Sequence, residues 1–365
     1  MTGYLERLVL RNLRRLTEAE ISPAQGLTLI VGRNGQGKTT VLEGIHLLST
    51  GRLLRAGTEN DAIQLGQDGA RVEGTLTGGT EVAVTLRRGS RKMAYLNGLG
   101  QRRASDLIGR MPVVAFSAQD LSLVTGEPAD RRMYLDLEIS QVSPAYLRDL
   151  TVYKKNLKER NALLRQEEWV SDDLLATYEE AMAEAGAGLR QARAQWVTEL
   201  APLARDAYAT LAPGETLHVE YLPHEEWMDA EGAREDYAVN RRRDRERRMS
   251  IRGPHRDDMA IEVAGVDGRK YGSQGQQRTA VIAVKMATRA LMAARRGEWP
   301  LLLLDDVFSD LDAQRRACLA EWASQPGGQV ILTGTEPELA GSALISAQAL
   351  YWVDSGVVTR DEIRG

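Results

Sequence analysis

The chain has 365 residues, 43% hydrophobic and 27% charged, with 34 Gly and 11 Pro. That composition excludes disordered and fibrous classes and fits one large domain carrying an insertion, or two domains. The 47 Lys and Arg against 51 Asp and Glu give a net charge of −4, which excludes a protein that coats nucleic acid indiscriminately and confines any such site to a local basic face.

One cysteine, Cys318, and four scattered histidines (His46, His218, His224, His255) exclude an intrachain disulfide and any zinc-ligand spacing. No stretch approaches the roughly 18 apolar residues of a membrane helix. Glu6, Arg7, Arg11, Arg14 and Arg15 stand where a secretory signal would be apolar, so a reducing, cytoplasmic location is expected, with no membrane partner.

In chain order, residues 27–31 form an apolar, β-branched run ending at Gly32, and 39–48 have helical spacing, which predicts strand, glycine-rich loop and helix. Residues 71–76, 81–86 and 93–97 alternate partially and are separated by Gly78-Gly79 and Gly89, an antiparallel meander. Residues 112–116 read as a further buried strand. Between Leu121 and Pro213 glycine occurs only at Gly126, Gly186 and Gly188, so this segment is expected to be nearly all helix. Ser143-Pro144 supplies an N-cap and a proline at the first helical position. Apolar positions from Tyr146 to Leu164 and from Leu175 to Leu203 recur at spacings of three and four. That narrow stripe predicts an antiparallel helical hairpin, a projecting arm roughly 35 to 40 Å long. Strand character returns at 217–222, a helix runs to about residue 245, and 259–263 is a strand. Helix 274–295, strand 301–304, helix 313–323 and strand 329–333 then alternate, which implies a parallel sheet.

Gly32-Arg33-Asn34-Gly35-Gln36-Gly37-Lys38-Thr39 matches G-x-x-x-x-G-K-[ST] at every fixed position and lies between strand and helix, the context that this phosphate-binding loop requires. Its backbone N–H groups and the helix N-terminus, with Thr40 following, suit triphosphate oxygens. Lys38 is expected to reach the β- and γ-phosphates, and the Thr39 hydroxyl to sit on Mg²⁺. The run 301–304 opens onto Asp305 and Asp306, carboxylates at the C-terminal edge of a central strand. Asp305 is assigned to Mg²⁺ and Asp306 to polarising the attacking water. Ser273-Gln274-Gly275-Gln276-Gln277 opens the long helix before that strand. Its N–H groups and hydroxyl make an anion site, with a plain N-cap as the alternative.

The order of these motifs resembles the ABC ATPases: phosphate loop, meander, helical insertion, a signature at Ser273, Gly275 and Gln276, the acidic strand, then Ser309-Asp310-Leu311-Asp312 as a D-loop. In that class the signature completes the nucleotide site of a second subunit. The implied fold is α/β, an ABC-type P-loop ATPase head with a mixed sheet and antiparallel meander and an inserted helical arm. The head would occupy 1–120 and 214–365, and the arm 121–213. Five stretches carry a closer resemblance, to the RecF family: Leu10-Arg11-Asn12-Leu13-Arg14, residues 153–161, Gly253-Pro254-His255-Arg256-Asp257-Asp258, residues 273–279 and residues 304–309. It implies weak ATPase activity, ATP-dependent homodimerisation on DNA, and work with RecR and RecO to load RecA at single-strand gaps, with links to replication, recombination and the SOS response. Leu13 replaces the usual Phe, and Ala118-Gln119 replaces Pro-Glu. Gln119 is the Q-loop candidate, and Thr335 stands where many ABC ATPases carry a switch histidine.

Arg87, Arg88, Arg91, Lys92, Arg102 and Arg103 fall in a stretch without an acid, and 241–248 holds six arginines against two acids. Without aromatic interleaving, such patches favour sequence-independent contact with duplex or junction phosphates over single-strand stacking; a solvated helix face is the plainer reading of each. An SMC-like structural DNA ATPase and a transport-coupled ABC subunit are the competing functions. The first requires a coiled coil of hundreds of residues, and the arm of 121–213 is too short for that; the second requires a membrane partner, and the helical arm and basic stretches argue against it.

Overall fold

The computed structural model describes residues 4–55, 57–166, 170–308, 311–323, 327–335 and 347–361. In order the elements are β1 (Leu5–Leu13), β2 (Leu16–Ile21), β3 (Leu27–Val31), α1 (Lys38–Thr50), α2 (Glu59–Ala62), β4 (Gly69–Leu76), β5 (Thr80–Arg87), β6 (Met93–Leu96), β7 (Leu99–Gly100) and β8 (Val113–Phe116). Then follow α3 (Ser122–Thr125), α4 (Pro128–Val142), α5 (Pro144–Leu164), α6 (Asp172–Leu211), β9 (Leu217–Leu222), α7 (Ala230–Arg247), β10 (Asp258–Val263), β11 (Val266–Asp267), α8 (Gly268–Tyr271) and α9 (Gln274–Arg296). The chain closes with β12 (Leu301–Asp305), α10 (Ala313–Ala323), β13 (Val330–Gly334), β14 (Ala347–Asp354) and β15 (Val357–Asp361).

Two compact units result, the first from 1–121, 210–213 and 285–365, the second from 122–209 and 214–284. In the first unit one six-stranded sheet has the order β2-β1-β4-β5-β6-β7 and is antiparallel throughout. The other has the order β15-β14-β3-β13-β12-β8, with only β15 antiparallel. Helix α1 touches strands of both sheets, so nearly all of its residues are buried; a helix covered on every side has no polar face to present. The expected meander and parallel strands are present. The hairpin of β1 and β2, and β14 with β15, are additions that the reading of the sequence lacked.

The second unit differs from the expected arm. Residues 214–284, placed in the head by their order, cluster with α3 to α6: α4 packs on β10, and ion pairs join α5, α6 and α7. The reason is buried charge. Arg160, Arg190 and Arg193 are almost wholly enclosed. Arg160 pairs with Glu179 at 2.8 Å and Asp244 at 2.7 Å. Arg193 pairs with Asp136 at 2.8 Å and donates to the Pro254 carbonyl at 2.7 Å. Arg190 binds Asp257 at 2.8 Å and Glu225, and its guanidinium lies 3.7 Å from the Trp227 ring centre. Against the effect of its burial, Arg193 and Lys154 hold the Asp136 carboxyl below its ordinary range. Apart from the exposed Arg256, residues 253–258 are therefore packing residues: His255 bonds Tyr153 at 2.8 Å, and Asp258 takes two of the Arg131 nitrogens at 2.7 and 2.9 Å. The basic run on α7 is partly consumed in the same way. Arg241 pairs with Glu179 and Arg245 with Asp172, while Asp244 faces Arg160. The Ser143 N-cap accepts from the Tyr146 N–H at 3.2 Å, as the Ser-Pro pair predicts.

Replacing Arg190 with Met strands Asp257 and Glu225 in the interior and should destabilise the fold by about 3–5 kcal/mol, read as a lowered urea midpoint. Burial also pushes the His46 and His255 imidazoles down to about 4. Unfolded histidine titrates near 6.5, so the unfolded chain takes up protons first and stability is lost as pH falls from about 6.5 towards about 4. The stability gap between wild type and His255→Gln should narrow across that window in denaturant titrations.

Candidate functional site

Strand β3 is buried along its whole length and delivers the phosphate loop to the C-terminal edge of the parallel sheet. Gly32 (φ 153°) must lack a side chain, because a Cβ there would lie 2.2 Å from the Val353 carbonyl oxygen. Gly37 (φ 125°) is likewise closed by Leu16. Helix α1 starts at once, with no side-chain cap and no acid in its first turn, which leaves its N–H groups for an anion. Arg33, Asn34 and Gly35 are exposed, and Gln36 is half-buried. From outside the loop, Arg15 donates to the Gly35 carbonyl at 2.8 Å and the Ser355 N–H donates to Gln36 Oε1 at 2.7 Å.

Lys38 is 6% exposed, and its ammonium donates to the carbonyls of Gly32 at 2.6 Å and Arg33 at 3.1 Å. Burial lowers its pKa, while Asp306 and Asp305 oppose that shift. The Thr39 hydroxyl donates to Asp305 Oδ1 at 2.9 Å, so the hydroxyl and carboxylate assigned to a cation are already adjacent. Thr40 is buried, and its hydroxyl accepts from Arg55 at 3.3 Å. Asp306 has φ 52°, a left-handed backbone that aspartate adopts more readily than most non-glycine residues. Its N–H donates to Thr333 Oγ1 at 3.0 Å, and that hydroxyl donates to Asp305 Oδ1 at 2.8 Å.

The same sheet edge receives Gln119 after β8 and Thr335 after β13. Gln119 is exposed on a turn held by Asp120, which accepts from the Ser117 N–H at 2.7 Å and pairs with Lys285 at 2.8 Å. Thr335 is half-buried. Two contributors escaped the reading of the sequence. Thr333 lies on β13 with no motif to mark it. Arg14, inside the quoted 10–14 stretch, holds the buried Glu43 of α1 with two 2.8 Å bonds. A cavity of about 390 Å³ bordered by Tyr4, Met111, Trp299 and Leu301 lies at the opposite, N-terminal ends of these strands, away from the phosphate loop.

In the second unit Ser273 and Gly275 are exposed at the start of α9. The Gln276 N–H donates to Ser273 Oγ at 3.2 Å and the Ser273 N–H to Gln276 Oε1 at 2.9 Å, so the plain N-cap is present. The Gln276 amide also donates to Glu215 at 2.9 Å. Ser309 and Asp310 of the D-loop lie outside the described residues. Asp312 caps α10, accepting from the Arg315 N–H at 2.9 Å.

The six basic residues of the meander converge where β5 ends and β6 begins, since the Gln101 N–H bonds the Ala94 carbonyl and returns the chain beside them. Arg87, Arg88, Arg91, Arg102 and Arg103 are exposed. Lys92 is half-buried and pairs with Glu59 at 2.5 Å, and Arg88 is tied to the carbonyls of Gln67 and Gln64.

A parallel sheet of this order, with an antiparallel sheet packed over the helix that follows the phosphate loop, defines a P-loop ATPase head of the ABC and SMC type. Comparison with known proteins narrows that class. The family model described as "RecF/RecN/SMC N terminal domain" matches residues 4–356. "DNA replication and repair protein RecF" of Symbiobacterium thermophilum is 38% identical over 98% of this chain and 99% of its own, and that of Myxococcus xanthus is 38% identical over 95% and 94%. The solved "recombination mediator protein RecF-ATP in RecFOR pathway" superimposes with a TM-score of 0.89 at 29% identity, covering 99% of this chain and 98% of that one. An Smc head bound to a ScpA domain matches in fold alone, with a TM-score of 0.60 at 16% identity. The chain belongs to the RecF family. Among the described residues no helix is long and apolar enough to cross a membrane.

Removing the exposed arginines together (Arg87, Arg91, Arg102 and Arg103 to Ala) should weaken duplex DNA binding uniformly across sequences. It should also flatten the slope of log affinity against log salt by about 3–4, measured by fluorescence anisotropy from 50 to 200 mM salt.

Proposed function

We propose that this chain is an ATP-driven DNA clamp acting in replication and repair. The observation that supports it most is the pairing of Thr39 with Asp305 at 2.9 Å beside the buried Lys38, at the mouth of an uncapped helix. ATP is the substrate. Lys38 and the N–H groups of 33–39 take its phosphates, and Thr39 and Asp305 would hold Mg²⁺. Held there, Mg²⁺ would supply positive charge to offset the negative charge that develops on the transferring phosphoryl group. Asp306 orients the attacking water from its left-handed position. Its carboxylate is one methylene shorter than glutamate, and turnover is slow.

Two chains close around two nucleotides, each chain offering Ser273, Gly275 and Gln276 to the γ-phosphate held by its partner. Exposure of Ser273 and Gly275 beside a helix N-terminus supports that role. Gln119 and Thr335 sense the γ-phosphate from the sheet edge. Closure grips duplex or gapped DNA without sequence preference through the basic end of the meander, DNA stimulates hydrolysis, and hydrolysis reopens the dimer. The relatives named for DNA replication and repair and for the RecFOR pathway support the cellular role: with RecR and RecO in the cytoplasm, loading of RecA at single-strand gaps and induction of the SOS response.

Light-scattering mass with and without ATP tests the clamp. Wild type should pass from monomer to dimer on adding ATP. Ser273→Arg should bind ATP with unchanged affinity and remain monomeric, because the bulky cation blocks only the site of the partner. A Ser273→Arg protein that still dimerises contradicts the capping role.

A further inference from the structure

We propose that Thr333 is a positioning residue that sets the backbone of Asp306 for hydrolysis; this deepens the ATPase reading and rests on it. Thr333 is 1% exposed on β13, in register with Asp305 on β12. A hydroxyl has one proton and two lone pairs, and this one serves both acids. It donates to Asp305 Oδ1 at 2.8 Å and accepts from the Asp306 N–H at 3.0 Å.

The second bond carries the argument. The β12–β13 pairing ends at Asp305 and Thr333, and the next N–H, that of Asp306, goes to the side chain of Thr333. At φ 52° the Asp306 peptide has left the strand direction for the left-handed region, which aspartate enters more readily than most side chains but which a fixed partner must select here over the extended one. The Thr333 hydroxyl accepts from the Asp306 N–H there and ties the peptide to β13. Valine has the same shape and no acceptor, so Thr333→Val removes this hold on the Asp306 N–H and lets the peptide shift towards the extended region, carrying its carboxylate away from the site. Serine keeps the oxygen and is the conservative rescue.

The test is steady-state ATP hydrolysis, resolved into kcat and KM, for wild type, Thr333→Val, Thr333→Ser, Asp306→Asn and the double variant Asp306→Asn with Thr333→Val. The valine variant should lose about 10- to 100-fold in kcat, the scale expected when a catalytic group is misplaced by about 1 Å. KM for ATP and the Mg²⁺ midpoint should stay within about twofold. Serine should recover most of the rate, and valine should add nothing in the Asp306→Asn background. Unchanged kcat in the valine variant overturns the proposal. So does a shifted Mg²⁺ midpoint, which places the effect on Asp305, or a further loss in the Asp306→Asn background. Amide exchange at Asp306 needs no turnover: it should speed up at least about tenfold in folded Thr333→Val, and unchanged protection also overturns the proposal. Wild-type protein without hydrolysis sinks the ATPase reading, while this exchange measurement still decides the role of Thr333.

Discussion

The hydrogen bond from the Thr39 hydroxyl to Asp305 joins residues 266 positions apart, and the chemistry of the site depends on it. It exists because β3, β13 and β12 run parallel in register, so all three strands release their following residues on one edge. A buried ammonium is tolerable there only because loop carbonyls accept from it and two carboxylates stand nearby. Each of those partners is an oxygen that phosphate or metal ligation can replace, which makes the edge a place of exchangeable bonds rather than of permanent ones.

The second unit uses charge differently. Arg160, Arg190 and Arg193 are enclosed with Glu179, Asp136, Asp257 and Glu225, and nothing about these pairs is exchangeable. Well-packed hydrophobic residues would often stabilise such an interior as well. What the ions add is directional: α6 can seat against the 253–258 segment only where each guanidinium meets its own acid.

The two halves of the site differed in how openly the chain displayed them. The phosphate loop and the Asp305-Asp306 pair were legible because each is a local pattern attached to a strand whose apolar run is unbroken. The β1 and β2 hairpin was not, although its burial alternates in part. Arg7 and Arg11 pair across the strands with Glu20 and Glu18, and in one dimension nothing in the spacing of these four charges marks a strand pair. The stripe on α5 and α6 was read correctly as helix and incorrectly as a lone hairpin, because arginines off the stripe look solvated until their acids arrive from α4, α7 and the loops before β10 and after β9. Arg241 and Arg245, whose role the basic run left open, take their acids in the same way.

Local order in the chain was enough to establish that a triphosphate loop, an acidic strand and a helical insertion occur, and in which sequence. Their signals lie within a few bonds of one another, where spacing fixes geometry. Folding alone could bring Thr333 under Asp306, Arg14 onto Glu43 and residues 214–284 into the helical unit. Such meetings depend on strand register and on which buried ion finds which partner, and both are properties of segments far apart along the backbone.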